Sequence, residues 1–409
     1  VQTVPNEMLS LFNTAVNFLS EVCGATIVLC SATQPCLEQT AHPMTENIKD
    51  IAPFDEELWR VFRRTQIIDK GGMRLDAIPA FIAEQLGTTD SLLVICNLKK
   101  QAAYLFTEMK LENTVIFHLS AGMCMAHRMA VISEINSALE RKRTNPDAPK
   151  VVCISTQVIE AGVDVSFGCV IRLCAGLDSV IQAAGRCNRN GELNGAADVF
   201  IINCRGEDLG MLRSIKDGKM ACMSLLSDYE YHPEKYPSGL TSDEAVYAYY
   251  KKLYIQSDIG AQDMPIKIDG SPFTLFDLLS LDRTFANAPY LKANGEKYAL
   301  TQAFKTAGNR FTVFGSSTTD VIVPYGEGKE IIAEFGSKRA EDDIKYLKKL
   351  IKKARAYTVS LYENQRRALA DSGALHPIAD GIALALSEEF YNEDFGLNLD
   401  GESREAITL

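Results

Sequence analysis

The chain has 409 residues, more than one ordinary hydrophobic core accommodates, so two or three domains are expected. Its hydrophobic fraction of 46% and charged fraction of 23% are those of a globular chain, and no apolar run reaches the roughly 18 residues that span a bilayer. The net charge of −11 excludes nonspecific clamping of nucleic acid over the whole surface, so a polyanion could bind only in a local groove.

The first forty residues begin with a segment whose apolar residues recur at helical spacing. The continuous apolar run of residues 25–30 then predicts a strand buried on both faces of a parallel sheet. Ser31 and Thr33 follow it within Ser-Ala-Thr, and functional residues cluster at the carboxyl ends of such strands. Taken alone, Ser-Ala-Thr is equally typical of a turn.

Residues 41–73 are polar and contain two prolines, so they are interpreted as an interdomain connection. From residue 74 to residue 205, buried strands and amphipathic helices alternate strictly. This alternation predicts an α/β domain with a doubly wound parallel sheet. The predicted strands are 91–96, 115–118, 151–154, 169–173 and 198–202, and the predicted helices are 77–86, 101–109, 126–143 and 180–186.

Beyond residue 205 the pattern predicts a helical linker over 206–260 and a mixed α+β accessory domain over 261–409. A long helix is predicted over 341–370, and the acidic tail after Glu388 is expected to fray. Basic side chains form one stripe on that helix, which could track a phosphate backbone or simply face solvent. The stripe consists of Lys345, Lys348, Lys349, Lys352 and Arg355.

The eleven cysteines lie mostly inside apolar segments, and none forms a C-x-x-C pair. They are interpreted as small buried hydrophobes in a reducing compartment, and no metal site is expected in this chain. Because the start shows no signal-peptide pattern, we expect a cytoplasmic protein with no membrane partner.

Two segments in the middle of the chain carry the residues that best suit a phosphate-binding site. The strand over 151–154 leads to the turn Gly162-Val163-Asp164, and the segment 179–192 carries Gln182, Arg186 and Arg189. On a helix, two arginines three residues apart share one face, and guanidiniums beside such a turn suit a phosphate site. A Gly-x-Asp turn without function and a structural salt bridge are the alternatives.

The motifs at residues 31–33, 162–164 and 182–189 resemble, in this order, the later motifs of superfamily 2 helicases. The longer segments 118–128, 155–164 and 182–192 resemble the CRISPR-associated helicase–nuclease of type I systems. Residues 302–308 and 323–326 resemble its type I-C branch. The resemblance implies a RecA-like sheet over 74–205, with residues 1–40 ending a first RecA-like domain. Another superfamily 2 DNA or RNA helicase and a non-catalytic docking module are the alternatives.

Several parts of that family are not found in this sequence. No G-x-x-x-x-G-K-[ST] loop occurs, and none of the five histidines precedes an aspartate, as the family's nuclease requires. Val1-Gln2 would be the last two residues of the family's Asp-Glu-x-Gln box. The resemblance therefore implies a C-terminal portion whose missing partner is the N-terminal nuclease and first RecA-like half. Such a portion alone is expected to be inactive.

The resemblance also implies roles for individual residues. Arg189 would be the arginine finger that meets charge on the γ-phosphate, with Arg186 beside it and Gln182 orienting both. Gly162 and Asp164 would line the nucleotide. Ser31 and Thr33 would couple the nucleotide state to the grip on DNA. The residues expected to contact the DNA backbone are Asn97, Ser120, Arg128, Thr156 and Gln157.

The resemblance also implies cofactors, partners and an activity. The cofactors are ATP and Mg²⁺, with the magnesium ligands on the missing part. The macromolecular partners are single-stranded DNA and the CRISPR surveillance (Cascade) complex. The implied activity is an ATP-dependent DNA translocase or helicase that unwinds target DNA and feeds it to an HD nuclease in antiviral defence.

Overall fold

A computed structural model describes residues 4–45, 49, 51, 63–160, 162–210, 212–255, 261–280, 293, 295, 302–312, 318–379 and 381–399. The chain divides into two compact units. The first unit comprises residues 1–60, 175–181 and 210–315, and the second comprises 61–174, 182–209 and 316–409. Over the described ranges, every helix is too short or too polar to cross a bilayer.

The helices and strands of the described ranges are numbered here in chain order. The helices are α1 (Leu9–Glu21), α2 (Ile78–Gln85), α3 (Lys99–Glu108), α4 (Met125–Thr144), α5 (Leu177–Ala184), α6 (Arg213–Tyr231), α7 (Asp243–Ile255), α8 (Leu275–Leu279), α9 (Phe304–Arg310), α10 (Gly328–Phe335), α11 (Lys338–Asp342), α12 (Ile344–Ala354) and α13 (Glu363–Asp371). The strands are β1 (Thr65–Arg74), β2 (Ser91–Ile95), β3 (Thr114–Leu119), β4 (Lys150–Ser155), β5 (Cys169–Leu173), β6 (Ala197–Arg205), β7 (Pro265–Ile268), β8 (Ser271–Thr274), β9 (Thr318–Ile322), β10 (Thr358–Tyr362), β11 (Leu375–Ile378), β12 (Ala383–Leu386), β13 (Tyr391–Asn392) and β14 (Gly396–Leu397).

The second unit is built on a six-stranded parallel sheet with the order β1-β6-β5-β2-β4-β3. Successive side chains of a strand point to opposite faces, so each buried strand feeds two cores. Leu92 and Val94 of β2 pack with α2 and α3 on one face. Leu93 and Ile95 pack with α4 on the other face. The predicted RecA-like, doubly wound sheet is confirmed, with helices on both faces.

Strand β1 was missed by the sequence analysis, which assigned residues 41–73 to a connection. Thr65–Arg74 forms an edge of the sheet and pairs in parallel with β6, with a register shift between Asp69 and Gly72. The stretch Asp-Lys-Gly-Gly within it breaks any apolar alternation. An edge strand tolerates such residues because only one of its sides needs a partner.

The predicted buried strand over residues 25–30 is wrong. This segment has no regular structure, and Ile27 and Val28 are 36% and 63% exposed. A strand buried on both faces requires partner strands beside it and helices over it, and no described strand pairs with this run. Helix α1, which precedes it, is where the helical spacing predicted a helix.

The predicted C-terminal mixed α+β region is confirmed, but the single long helix over 341–370 is wrong. Asp343 caps the start of helix α12, and its carboxylate accepts hydrogen bonds from the backbone N–H groups of Lys345 and Tyr346. Val359 and Leu361 are buried between exposed neighbours, so residues 358–362 form strand β10 instead. This strand belongs to a four-stranded mixed sheet with the order β10-β9-β12-β11.

We predict that Phe200→Ala lowers the free energy of unfolding by about 3–5 kcal/mol, the cost typical of deleting a buried ring. Phe200 is 3% exposed and packs edge-on against Phe81, with ring centroids 5.3 Å apart. Urea unfolding is the measurement, and Met129→Ala is the control because Met129 is 59% exposed on α4. Equal losses in the two variants would show that this core does not determine stability.

Candidate nucleotide and nucleic-acid site

The turn after β4 presents an exposed carboxylate to an arginine from the segment after α5. Gly162 has a φ of +72°, a left-handed conformation that favours glycine. Two residues later, the Asp164 carboxylate accepts a hydrogen bond from Arg189 Nε at 2.9 Å. The two side chains are 89% and 41% exposed, respectively. Because an exposed ion pair contributes little free energy, Arg189 can exchange this carboxylate for a phosphate at little cost.

The predicted arrangement of both arginines on one helical face is wrong. Helix α5 ends at Ala184, before either arginine. Cys187 forms a parallel bridge with Phe167, and Asn188 has a left-handed φ of 45°. This bridge and the positive φ value end the helix, so the two guanidiniums occupy different environments.

Arg186 is buried, and its guanidinium binds the backbone that precedes Gly162. Its Nε donates to the Ile159 carbonyl at 3.1 Å, and its Nη2 donates to the Glu160 carbonyl at 2.7 Å. Burial lowers the pKa of Arg186 from its ordinary value, and the charge of Arg189 adds to this effect. Arg186 therefore shapes the turn, whereas Arg189 faces solvent. Gln182 lies half-buried on α5.

The candidate DNA-contacting residues follow three neighbouring strands. Asn97 follows β2, Thr156 and Gln157 follow β4, and Ser120 follows β3, with β4 between the other two strands. The Thr156 N–H donates to the carbonyl of Leu119 at 3.0 Å, which ties two of these strand ends together. The sheet thus brings the four residues to one edge, because the carboxyl ends of parallel strands lie at the same edge.

These residues differ in how accessible they are. Asn97, Ser120 and Thr156 are 7%, 2% and 6% exposed, whereas Gln157 is half-buried. The Asn97 amide is engaged within the protein, since its Nδ2 donates to the Cys174 carbonyl at 3.0 Å. Their roles at DNA stay predictions.

Three further candidates lie in other settings. Arg128 is half-buried in the first turn of α4. Thr33 belongs to the first unit, where its hydroxyl lies 3.1 Å from that of Tyr250, and the Ser31 hydroxyl donates to the Thr33 carbonyl at 2.7 Å. Their predicted roles also stay predictions.

The chain after Glu388 was expected to fray, and this is wrong up to residue 399. Strands β13 and β14 pair as a small hairpin, and the Leu397 N–H donates to the Gly122 carbonyl at 2.8 Å. A Cβ on Gly122 would lie 2.9 Å from the Phe395 carbonyl oxygen, so the close approach requires glycine. The hairpin therefore rests on the loop that carries Ser120.

A cleft of about 1880 Å³ lies within the second unit beside this hairpin. The basic side chains that line it lie on the side of the parallel sheet, where acidic side chains accompany them. These basic residues are Arg74, Lys99, Lys100 and Arg205, and the acidic ones are Asp76, Glu207 and Asp208. The side of the hairpin carries only acidic charge, from Glu388, Glu389, Glu393 and Asp394, so a polyanion could bind only along the sheet side.

Two buried histidines hold the hairpin. His127 stacks on Tyr325 with centroids 4.2 Å apart, its Nε2 donates to the Glu393 carbonyl at 3.0 Å, and its Nδ1 accepts from the Tyr391 hydroxyl at 3.0 Å. His118 is 5% exposed and faces Phe395, and burial lowers its pKa to about 4. Burial also lowers the pKa of His127 from its ordinary value, and His118 is neutral at pH 7.

The sequence analysis missed the most buried charge of the site. Arg172 on β5 is fully buried, and its Nε is 2.8 Å from a Glu160 carboxylate oxygen. The detectable signal was a single arginine inside the apolar run of residues 169–173. Over the parts of the chain that the structure describes, His, Cys, Asp and Glu side chains nowhere gather in threes as metal ligands.

Comparisons with known proteins bear on this site directly. Residues 88–192 match the family model described as "CRISPR-associated nuclease/helicase Cas3, C-terminal". This match confirms the predicted resemblance to the CRISPR-associated helicase–nuclease, and the type I-C subtype stays a prediction.

Individual relatives cover smaller shares of the chain. The Cas3 nuclease/helicase of Haloferax volcanii is 66% identical over 41 residues, 10% of this chain and 4% of that protein. That of Methanothermobacter thermautotrophicus is 23% identical over 200 residues, 46% of this chain and 23% of that protein. A solved structure of T. fusca Cas3 with AMPPNP superposes with a TM-score of 0.49 at 13% identity, covering 92% of this chain and 42% of that one. The chain thus spans less than half the length of these relatives.

We predict that the two arginines differ sharply in their effect on stability. Arg186→Met should lower the free energy of unfolding by about 2 kcal/mol or more, because two charge-assisted hydrogen bonds are lost and two buried carbonyls are left unpaired. Arg189→Met should cost less than about 1 kcal/mol, because its ion pair is exposed. Urea unfolding measures both, and equal losses would contradict the assignment of Arg186 to the turn.

We also predict that stability falls as the pH falls below 7, in part through His118. The pKa of a histidine is about 6.5 in the unfolded chain and about 4 for His118 in the folded chain, so the unfolded state binds more protons between these values. The loss from pH 7 to pH 5 should be about 2 kcal/mol.

The matched variant is His118→Phe, which keeps a ring beside Phe106 and Phe395 and cannot be protonated. Its urea midpoint should fall less between pH 7 and pH 5 than that of the unaltered chain. Identical pH dependence in the two proteins would show that His118 is not a source of the loss.

Proposed function

We propose, from the premise that residues 88–192 carry the C-terminal domain of the Cas3 nuclease/helicase family, that this chain is the helicase portion of an ATP-dependent single-stranded DNA translocase. In the whole protein it would unwind target DNA and feed it to an HD nuclease during CRISPR-based antiviral defence. Its partners would be single-stranded DNA, the CRISPR surveillance complex and the nuclease-bearing half of the whole protein.

One observation carries this proposal, namely the exposed Asp164–Arg189 pair beside the left-handed Gly162. Arg189 is anchored through its backbone, since its N–H donates to the Ser166 hydroxyl oxygen at 3.0 Å, while its guanidinium is partly exposed. A fixed backbone with a reorientable guanidinium suits a residue that must reach a phosphate contributed from outside this chain. The exposed guanidinium of Arg189 therefore suits one phosphate group of a nucleotide.

Bound ATP and Mg²⁺ would supply phosphoryl transfer to water. Arg189 would stabilise the charge that develops on the transferred phosphoryl group, and Gly162 would let the backbone approach the nucleotide. Arg186 would keep the turn in place through its two carbonyl partners. We expect the magnesium ligands on the part of the whole protein that carries the carboxylate box.

The nucleic-acid side would use the edge formed by the ends of β2, β4 and β3. Gln157 is the most accessible candidate there, and Lys99 and Lys100 add exposed positive charge at the start of α3. Arg128, half-buried in the first turn of α4, is a further candidate. Positive charge confined to one wall suits a single strand in a groove better than a duplex on an open face. This agrees with the overall charge of −11.

We predict that Arg189→Ala, in the whole protein that carries this chain, reduces DNA-stimulated ATP hydrolysis by about 10³-fold. Single-stranded DNA binding should be retained, because Arg189 is not among the residues at the nucleic-acid edge. Steady-state phosphate release and fluorescence anisotropy are the measurements. The isolated chain should release no phosphate.

Arg367→Ala is the matched control for this experiment. Arg367 is 71% exposed and also forms a surface ion pair, with Glu363. It should leave hydrolysis unchanged. Near-normal turnover in Arg189→Ala would remove the arginine-finger role, and turnover by the purified isolated chain would contradict the need for a second half.

A further inference from the structure

Arg172 is a charged residue in a position where a parallel sheet normally places aliphatic side chains. It is fully buried on the central strand β5, between Ile171 and Leu173. A buried guanidinium persists only where its donors are all met by acceptors. Its Nη1 donates to the Leu173 carbonyl at 2.7 Å, and its Nε binds the Glu160 carboxylate at 2.8 Å.

Glu160 connects Arg172 to the candidate nucleotide site. The carbonyl of the same residue accepts the Arg186 Nη2 at 2.7 Å. Gly162 and Asp164, the partner of Arg189, follow within four residues. Glu160 therefore joins the two arginines directly, through its carbonyl to Arg186 and through its carboxylate to Arg172.

Asn97 connects Arg172 to the cleft. The Arg172 Nη1 donates to the Asn97 Oδ1 at 2.7 Å, and the Asn97 Nδ2 donates to a Glu207 carboxylate oxygen at 3.0 Å. Gln101 Nε2 donates to that same oxygen at 2.8 Å. Both Gln101 and Glu207 line the cleft.

Gln101 also fixes the start of α3. Its Oε1 accepts the Leu98 N–H at 3.0 Å, just before Lys99 and Lys100. We name the series Glu160, Arg172, Asn97, Glu207 and Gln101 the polar relay. It runs from the turn beside Arg186 to the sheet side of the cleft. It does so entirely within the second unit.

If the Arg172–Glu160 ion pair were purely structural, it would not need hydrogen bonds that continue as far as Gln101. Replacing a buried ion pair by packed apolar residues is often neutral or stabilising, so a buried ion pair is weak evidence of a stabilising role. The extension through Asn97 leads out of the core to the half-buried Glu207. It gives two separated sites a shared set of directional hydrogen bonds, which is what coupling through a packed protein requires.

We propose that Arg172 is a positioning residue that transmits changes at the Arg186–Arg189 site to the cleft beside Gln101 and Glu207. The proposal rests on the proposed function, because it assumes a nucleotide at one end and single-stranded DNA at the other. Arg172 itself touches neither ligand.

The test measures coupling in the whole protein that carries this chain. The affinity for a fluorescein-labelled single-stranded oligonucleotide is measured with and without a non-hydrolysable ATP analogue. The unaltered protein should show a ratio of about five-fold or more, and the analogue's affinity should change by the same factor when DNA is added. Because the ratio is taken within one protein, any change in a variant's basal affinity cancels.

Arg172→Lys keeps the charge and loses the fork of donors, and Glu207→Ala cuts the polar relay at its accessible end. Both should bring the ratio close to one. Glu389→Ala is the matched control, because it removes the same charge from the opposite wall of the same cleft and should keep the original ratio. Glu207→Ala decides the outcome if Arg172→Lys does not fold.

An unchanged ratio in Glu207→Ala would overturn the proposal, and so would an equal loss in Glu389→Ala. DNA-stimulated ATP hydrolysis is measured on the same unaltered preparation. If that hydrolysis is present while the ratio is one, the polar relay has no role and the proposed function stands. If hydrolysis is absent, the result contradicts the proposed function itself, and with it the proposal that rests on it.

Discussion

The candidate site of the second unit depends on the parallel pairing of β2 with β4 on one side and with β5 on the other. Because parallel strands all end at one edge, this pairing sets side by side the segments that follow each strand. Asn97 and Thr156 lie at that edge, and Arg172 on β5 lies near it. An antiparallel neighbour would send one of these segments to the far end of the sheet.

The different environments of Arg186 and Arg189 give the two arginines different tasks. Arg186 loses hydration on burial and recovers hydrogen bonds from two carbonyls, so it contributes to the shape of the turn. Arg189 keeps part of its hydration and a weak ion pair, so it can change partners. A phosphate-binding arginine must satisfy the second condition, because a guanidinium fully engaged within the fold has no donors to give.

The sequence predicted five of the six strands of the sheet because buried strands are continuous apolar runs, and it missed β1 because an edge strand needs no such run. It predicted too long a C-terminal helix because the helical spacing of basic residues continues to Arg355. The helix ends at Ala354, and a strand begins at Thr358. The sequence predicted both Arg189 and Asp164 as site residues but not the hydrogen bond of 2.9 Å between them. Hydrogen-bond partners distant in sequence depend on tertiary packing, which no local pattern records.

Because its partners are distant in sequence, Arg172 received no predicted role from the sequence. An arginine inside an apolar strand is a conflict between local pattern and buried environment, and such conflicts collect where function constrains the fold. Here the conflict is resolved by Glu160 and Asn97, one from the turn after β4 and one from the end of β2. One of these segments borders the candidate nucleotide turn, and the other borders the cleft. The free-energy cost of burying the Arg172 charge is therefore offset only while Glu160 and Asn97 both keep their contacts with it.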